Sequence, residues 1–308
     1  MDRREFLATM LIGSATAVAA AACGQNRQNW PTLEITPPAS GDLTRLALIS
    51  DATALALPDP SLPDSLRGAL AGTAGLSSIL GMGILFPTQS AIVSLLAKAR
   101  PRWFDSSAED NEHRVAIATG YLMHRAAERC IHKGFVEAGL NAAQENIAKL
   151  YQDAEVLRSF LVEVPQTVAE AESLLSVLDR RLRIKAHTIR PDGTDIKAWV
   201  LKFLAWDAAQ ATLFEKLAST IAEPNAEERS RYVESLNFFD RTSPLVNAAR
   251  SQQAVNLTAE NIEESSLYGR ALLDCRRAIS VVGQFIDGSI DASTLVETLD
   301  GQLAGVAG

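Results

Sequence analysis

The chain predicts an all-α fold, a compact multi-helix bundle, and three observations carry the prediction. Apolar residues recur at steps of three and four through most of the chain after residue 104. No run alternates apolar and polar side chains with the two-residue period of a half-buried strand. The composition is rich in Ala and Leu, 47% hydrophobic but only 6% aromatic, as suits helices packed on one another. At 308 residues the chain can bury a sizeable core, and a single helical domain over 43–308 is the simplest division. The net charge of −8, with no basic stripe, removes the counterion-release drive for binding nucleic acid, and that partner class is set aside.

The N-terminus states a destination. Asp2-Arg3-Arg4-Glu5-Phe6-Leu7 precedes a short apolar run, Leu7 to Ala22, which ends in Ala20-Ala21-Ala22-Cys23-Gly24. Sixteen residues rich in Ala, Ser and Thr fall short of the roughly 20 that span a bilayer, so a cleaved segment over 1–22 is expected rather than a transmembrane anchor. Arg3 and Arg4 with Phe6 and Leu7 behind them, then small residues before Cys23, resemble a bacterial twin-arginine export signal joined to a lipoprotein-processing site. The resemblance implies folding before export, cleavage ahead of Cys23, acylation of Cys23, and a tether to the lipid bilayer on the periplasmic face of the cell envelope. Ala20 departs from the larger aliphatic residue commoner there, and Gly24 in place of Asp leans toward the outer membrane. Loss of residues 1–22 removes two basic and two acidic side chains, so the net charge stays at −8. Gln, Asn, Ser, Gly and the pair Pro37-Pro38 then predict a flexible tether over 23–42.

Leu43 to Leu57 reads as a short helix stopped by Pro58, Pro60 and Pro63, because proline lacks the amide donor and disfavours helix just before it. Thirty residues without a charge follow, Gly68 to Ala97, bounded by Arg67 and Lys98 and broken by Pro87. Gly68, Gly72, Gly75 and Gly83 fall near one face of a Gly-rich apolar helix, which lets another backbone approach closely. Each glycine weakens an exposed helix by about 1 kcal/mol, so this face should be covered. It is covered either by the rest of the core or by a partner or bilayer, with Lys98, Arg100, Arg102 and Trp103-Phe104 as flanking anchors. The core is the favoured cover, since only 68–86 is long enough to span and folded export must hide such a surface.

Asp105-Ser106-Ser107-Ala108-Glu109 then offers a helix start, and Val115, Ala118, Leu122 and Ala126 recur on a long helix ending near Gly139. Ala143, Ile147, Leu150, Ala154, Leu157 and Leu161 form the next stripe. Val168, Ala171, Leu175, Leu178 and Leu182 form another, and Ile196, Val200, Phe203, Asp207, Gln210, Phe214, Leu217 and Ile221 continue the period beyond the turn at Pro191-Asp192-Gly193. Shorter helices are expected near 226–237 and 244–255, then 259–286 with the stripe Tyr268, Leu272, Cys275, Ile279, Val282, Ile286. A last helix runs from Ala292 to Leu303, capped by Asp291 or Ser289.

His124, Glu128 and His132 sit four apart on one helix side and are the metal candidates. Eight residues separate the histidines by about 12 Å along the axis, so one ion takes Glu128 with a single histidine and needs ligands such as Glu145 or Asp207 from elsewhere. The plainer reading is a solvated polar face beside Arg125 and Arg129. His113 and His187 stand alone, and Asp207 beside Trp206 is a candidate buried acid or base. Cys130 and Cys275 can pair in an oxidising envelope, a bridge worth up to about 5 kcal/mol in the chain-entropy account, or remain two buried thiols. The chain carries no Gly-x-Ser-x-Gly, His-Glu-x-x-His, Cys-x-x-Cys or dinucleotide loop; Gly81-Met82-Gly83 lacks both the third glycine and a preceding strand.

Leu46-Ala47-Leu48-Ile49-Ser50-Asp51 followed by Pro58, behind the export signal, is similar to the start of the small subunits of exported, membrane-bound sugar and gluconate dehydrogenases. The likeness covers about a tenth of the chain, transfers no functional residue, and implies a helper in a redox complex. The expected function is a non-catalytic accessory or interaction subunit without a cofactor, bound to another protein chain. The alternative is an envelope enzyme or ligand-binding protein whose pocket lies inside the bundle near His124, Glu128, His132 and Trp206.

Overall fold

A computed structural model describes residues 41–71, 96–97, 109–160, 216–222, 224–251, 253, 255 and 266–304. Among the described residues every regular element is helical and none is a strand. In order they are α1 (Asp42–Ala56), α2 (Asp64–Ala71), α3 (Glu109–Glu137), α4 (Ala142–Phe160), α5 (Ala226–Arg229), α6 (Pro244–Ser251), α7 (Leu267–Asp287) and α8 (Ala292–Ala304). A π-helical turn, Ser230–Glu234, continues α5. The fold is all-α. Of the glycine stripe only Gly68 is described, and Gly72, Gly75 and Gly83 lie outside the described residues, as do the stripe from Val168 to Leu182 and the next one up to Phe214, whose last two members, Leu217 and Ile221, are buried in a described helical turn.

α3 and α7 form the spine. On α3, Val115, Ala118, Leu122 and Ala126 are all buried, and on α7 so is every member of the stripe from Tyr268 to Ile286. Gly134 faces Leu267, Arg129 faces Asp274 and Met123 faces Cys275, so the numbers fall on one helix as they rise on the other and the pair is antiparallel. Gly134 is what allows the closest approach, because a Cβ there would stand 2.8 Å from a Leu267 methyl. One apolar cluster, reaching from Ala47 to Leu295, joins this spine to the other helices.

The helix ends follow the capping rules, with help from distant parts of the chain. α3 stops where Gly139 adopts φ +69, and Leu140 N–H returns to Phe135 O at 3.0 Å. Asn141 and Gln144 then exchange reciprocal backbone-to-side-chain hydrogen bonds at 2.9 and 3.1 Å, a capping box that opens α4. Ser266 caps α7 by accepting from Gly269 N–H, so that helix begins at Leu267 and not near 259 as the stripe suggested. Two more of its first N–H groups reach the carbonyls of Asn237 and Phe238 at 2.9 and 2.8 Å. Asp291, rather than Ser289, caps α8 through Thr294 N–H at 2.8 Å.

α1 is capped from across the molecule. Its N-cap residue, Gly41, sits at φ +105 and has no side chain to offer. The carboxylate of Asp153 on α4 takes that role, accepting Gly41 N–H at 2.7 Å, Thr44 N–H at 2.8 Å and the Thr44 hydroxyl at 2.7 Å. Asp153 is buried, so these donors have no water to fall back on.

The expected apolar stripe of α4 is only partly the face that packs. Ala154 is buried, but Ala143 is exposed and Ile147 and Leu150 are half-buried. Tyr151, Gln152, Asp153 and Glu155 are buried instead. The helix turns a polar side inward because distant donors are waiting there.

Two sets of substitutions test this account. Asp153→Asn keeps the shape but loses acceptor capacity, and should lower the unfolding free energy by about 1–3 kcal/mol in urea titration; a change under about 0.5 kcal/mol refutes the cap. Gly134→Ala should cost about 1–3 kcal/mol by crowding Leu267, whereas Gly68→Ala on α2, with no described atom within 4 Å, should stabilise by about 0.5–1 kcal/mol.

Candidate functional site

Charged and polar groups gather at three places among the described residues. The first lies where α1 crosses α3. His124 is wholly buried there, and Arg45 of α1, itself nearly buried, reaches Glu128 at 3.9 Å, while Arg125 holds the same carboxylate at 2.8 Å. Burial, then the charges of Arg45 and Arg125, drives the His124 imidazole well below its ordinary pKa, so it is neutral in the folded protein.

These positions set the three metal candidates apart. His124 points into the core, Glu128 is engaged by two arginines, and the half-exposed His132 turns its Nδ1 toward Glu145 at 3.3 Å. Steps of four share a helix side but spread three side chains over two turns, where each finds a different neighbour. No group of three ligand-type side chains able to hold a metal ion occurs among the described residues. Asp207 and Trp206, the suggested partners of the trio, lie outside them.

The second place is a buried ion network along α4. Glu155 accepts from Arg229 Nε at 2.8 Å and Arg229 Nη2 at 3.2 Å, and from Arg158 Nη1 at 3.2 Å. Arg158 also donates to Thr220 O at 3.2 Å and to Ile221 O, and Arg229 to Glu234. One turn back, the Tyr151 hydroxyl donates to Glu228 at 2.7 Å. Burial alone would raise Glu155, but the hydrogen bond and charge of Arg229, with Arg158 and Arg241, outweigh it and hold the carboxyl below its usual range. Tyr151 is pushed up to about 12, first by burial and then by Glu228. The network fastens residues 216–222 and the π-turn onto α4. Every charge in it is spent on a neighbour, which is the chemistry of a clasp.

The third is a cleft of about 110 Å³ between the Pro58–Pro63 turn and α7. Gly283 lets Pro63 approach to within 3.2 Å of a would-be Cβ, and Arg276 donates to Asp59 and to Val255 O. Asp59, which also accepts from Ser61, is held below its usual pKa first by that hydroxyl, with Arg276 adding to the effect. The space holds only a few atoms, and the charges at its base are already paired.

Cys130 and Cys275 are both free thiols. Cys275, fully buried on α7, donates to Met123 O at 3.2 Å, and the antiparallel register sets it against Met123, two turns before Cys130 on α3. Burial, followed by the charge of Asp274, raises Cys130 to about 12, and the same two causes raise Cys275 well above its ordinary value, so neither is a ready nucleophile.

Comparisons with protein families, with curated proteins and with solved structures found no match to this chain. The remaining sequence candidates, Arg3, Arg4, Phe6, Leu7, Cys23, Gly72, Gly75, Gly83, Arg100, Arg102 and Trp103, lie outside the described residues. Gly68 is described, on α2, and is exposed. Asp153, Glu155 and Arg229 carry the strongest polar geometry and were not among the candidates; the signal available was two carboxylates, Asp153 and Glu155, flanking Ala154 of the predicted stripe.

The two buried clusters make separable predictions. His124 is held neutral when folded but takes a proton in the unfolded chain below about pH 6.5, so its contribution to stability is present above that pH and lost below it, at up to about 1.4 kcal/mol per pH unit. Urea midpoints should therefore fall between about pH 7 and about pH 5, and His124→Gln should flatten the slope. Glu155→Gln should cost about 2–3 kcal/mol, less than the roughly 3–5 kcal/mol of a fully buried pair because Arg229 keeps some solvent contact. Hydrogen exchange should then speed up at residues 216–234 before it does in α3 or α7.

Proposed function

We propose that this protein is an envelope-anchored lipoprotein, exported folded through the twin-arginine route, whose helical domain is a non-catalytic accessory or interaction subunit of an exported redox complex. The observation that carries the proposal is the order Arg3-Arg4, Phe6-Leu7, short apolar run, Cys23. The cap of α1 supports it. Asp153 of α4 accepts the first donors of that helix, so the start of α1 is held from within the domain. No helix among the described residues is long and apolar enough to cross a membrane, and acylated Cys23 is the proposed attachment to the bilayer.

The partner surface proposed is the glycine stripe with its flank of Arg100, Arg102 and Trp103. Gly68, the first residue of the stripe, is exposed on α2, which supports a docking face at that end. The partner is a second protein chain, and no cofactor is proposed for this one.

The test is made on the exported protein. With Arg3 and Arg4 both changed to Lys, export should stop; with Cys23→Ala, the exported chain should leave the membrane fraction. Mass analysis of the wild-type N-terminal peptide should find an acylated Cys23 as first residue. Wild-type chain still beginning at Met1 and recovered from the cytosol overturns the reading. Detergent extraction should bring down another chain with this one, and Leu at Gly72 and Gly75 should release it without unfolding the domain. Stoichiometric metal or a coloured cofactor in the purified protein counts against the helper role.

A further inference from the structure

We draw no further inference here: the strongest candidate, the cleft between the Pro58–Pro63 turn and α7 with Asp59 and Arg276 at its base, carries none because those two charges already satisfy each other and nothing in the structure shows what covers it.

Discussion

The hydrogen bonds from Gly41 and Thr44 to Asp153 are the constraint on which the described structure turns. A helix begins with donors that its own backbone cannot satisfy, and when that end is buried each one left bare costs about 1–3 kcal/mol. Gly41 supplies the left-handed turn but no acceptor. The acceptor comes from α4, more than a hundred positions later, so α1 and α4 can be properly finished only when they are together. The favourable placement of a carboxylate at a helix N-terminus adds to the effect. α7 is completed in a similar way, its first N–H groups meeting the carbonyls of Asn237 and Phe238.

The same logic explains the inward charges. A carboxylate removed from water is tolerated when its oxygens are filled by donors of opposite charge. Glu155 has a forked Arg229 and a second arginine. Asp51, buried on α1, accepts from the Tyr268 hydroxyl of α7 at 3.0 Å. Such groups contribute little to net stability compared with an apolar core of the same volume, but they are costly to mispair, and so they select one arrangement of the helices. The edge-on stacking of Phe238 and Phe239 against Tyr268, at 6.1 and 4.9 Å, holds the ring that delivers the bond to Asp51.

Function and fold are legible in different parts of this chain. The proposed export signal is a short linear pattern, while the domain carries no linear pattern of chemistry. The helical stripes of α3 and α7 were readable because an apolar face repeats with the helix and needs no knowledge of its partner. The α4 stripe was readable only in part, since apolarity could not show that Asp153 and Glu155 would find donors. The His124, Glu128, His132 spacing showed one shared helix side but not the neighbours of each residue; Arg45 and Glu145 decided where Glu128 and His132 went.

What the sequence determined by itself was local: helical period, the stop at the prolines after Leu57, the end of α3 near Gly139 and the start of α8 at Ala292. Each depends on backbone conformations and side chains within a few residues of one another. What only the tertiary structure decided was which polar groups were buried and with whom, including the cap of α1, the clasp at Glu155 and the separation of the metal candidates. Those outcomes depend on distances between residues far apart along the chain, and a hydrogen bond or ion pair has direction and reach that composition and periodicity do not encode.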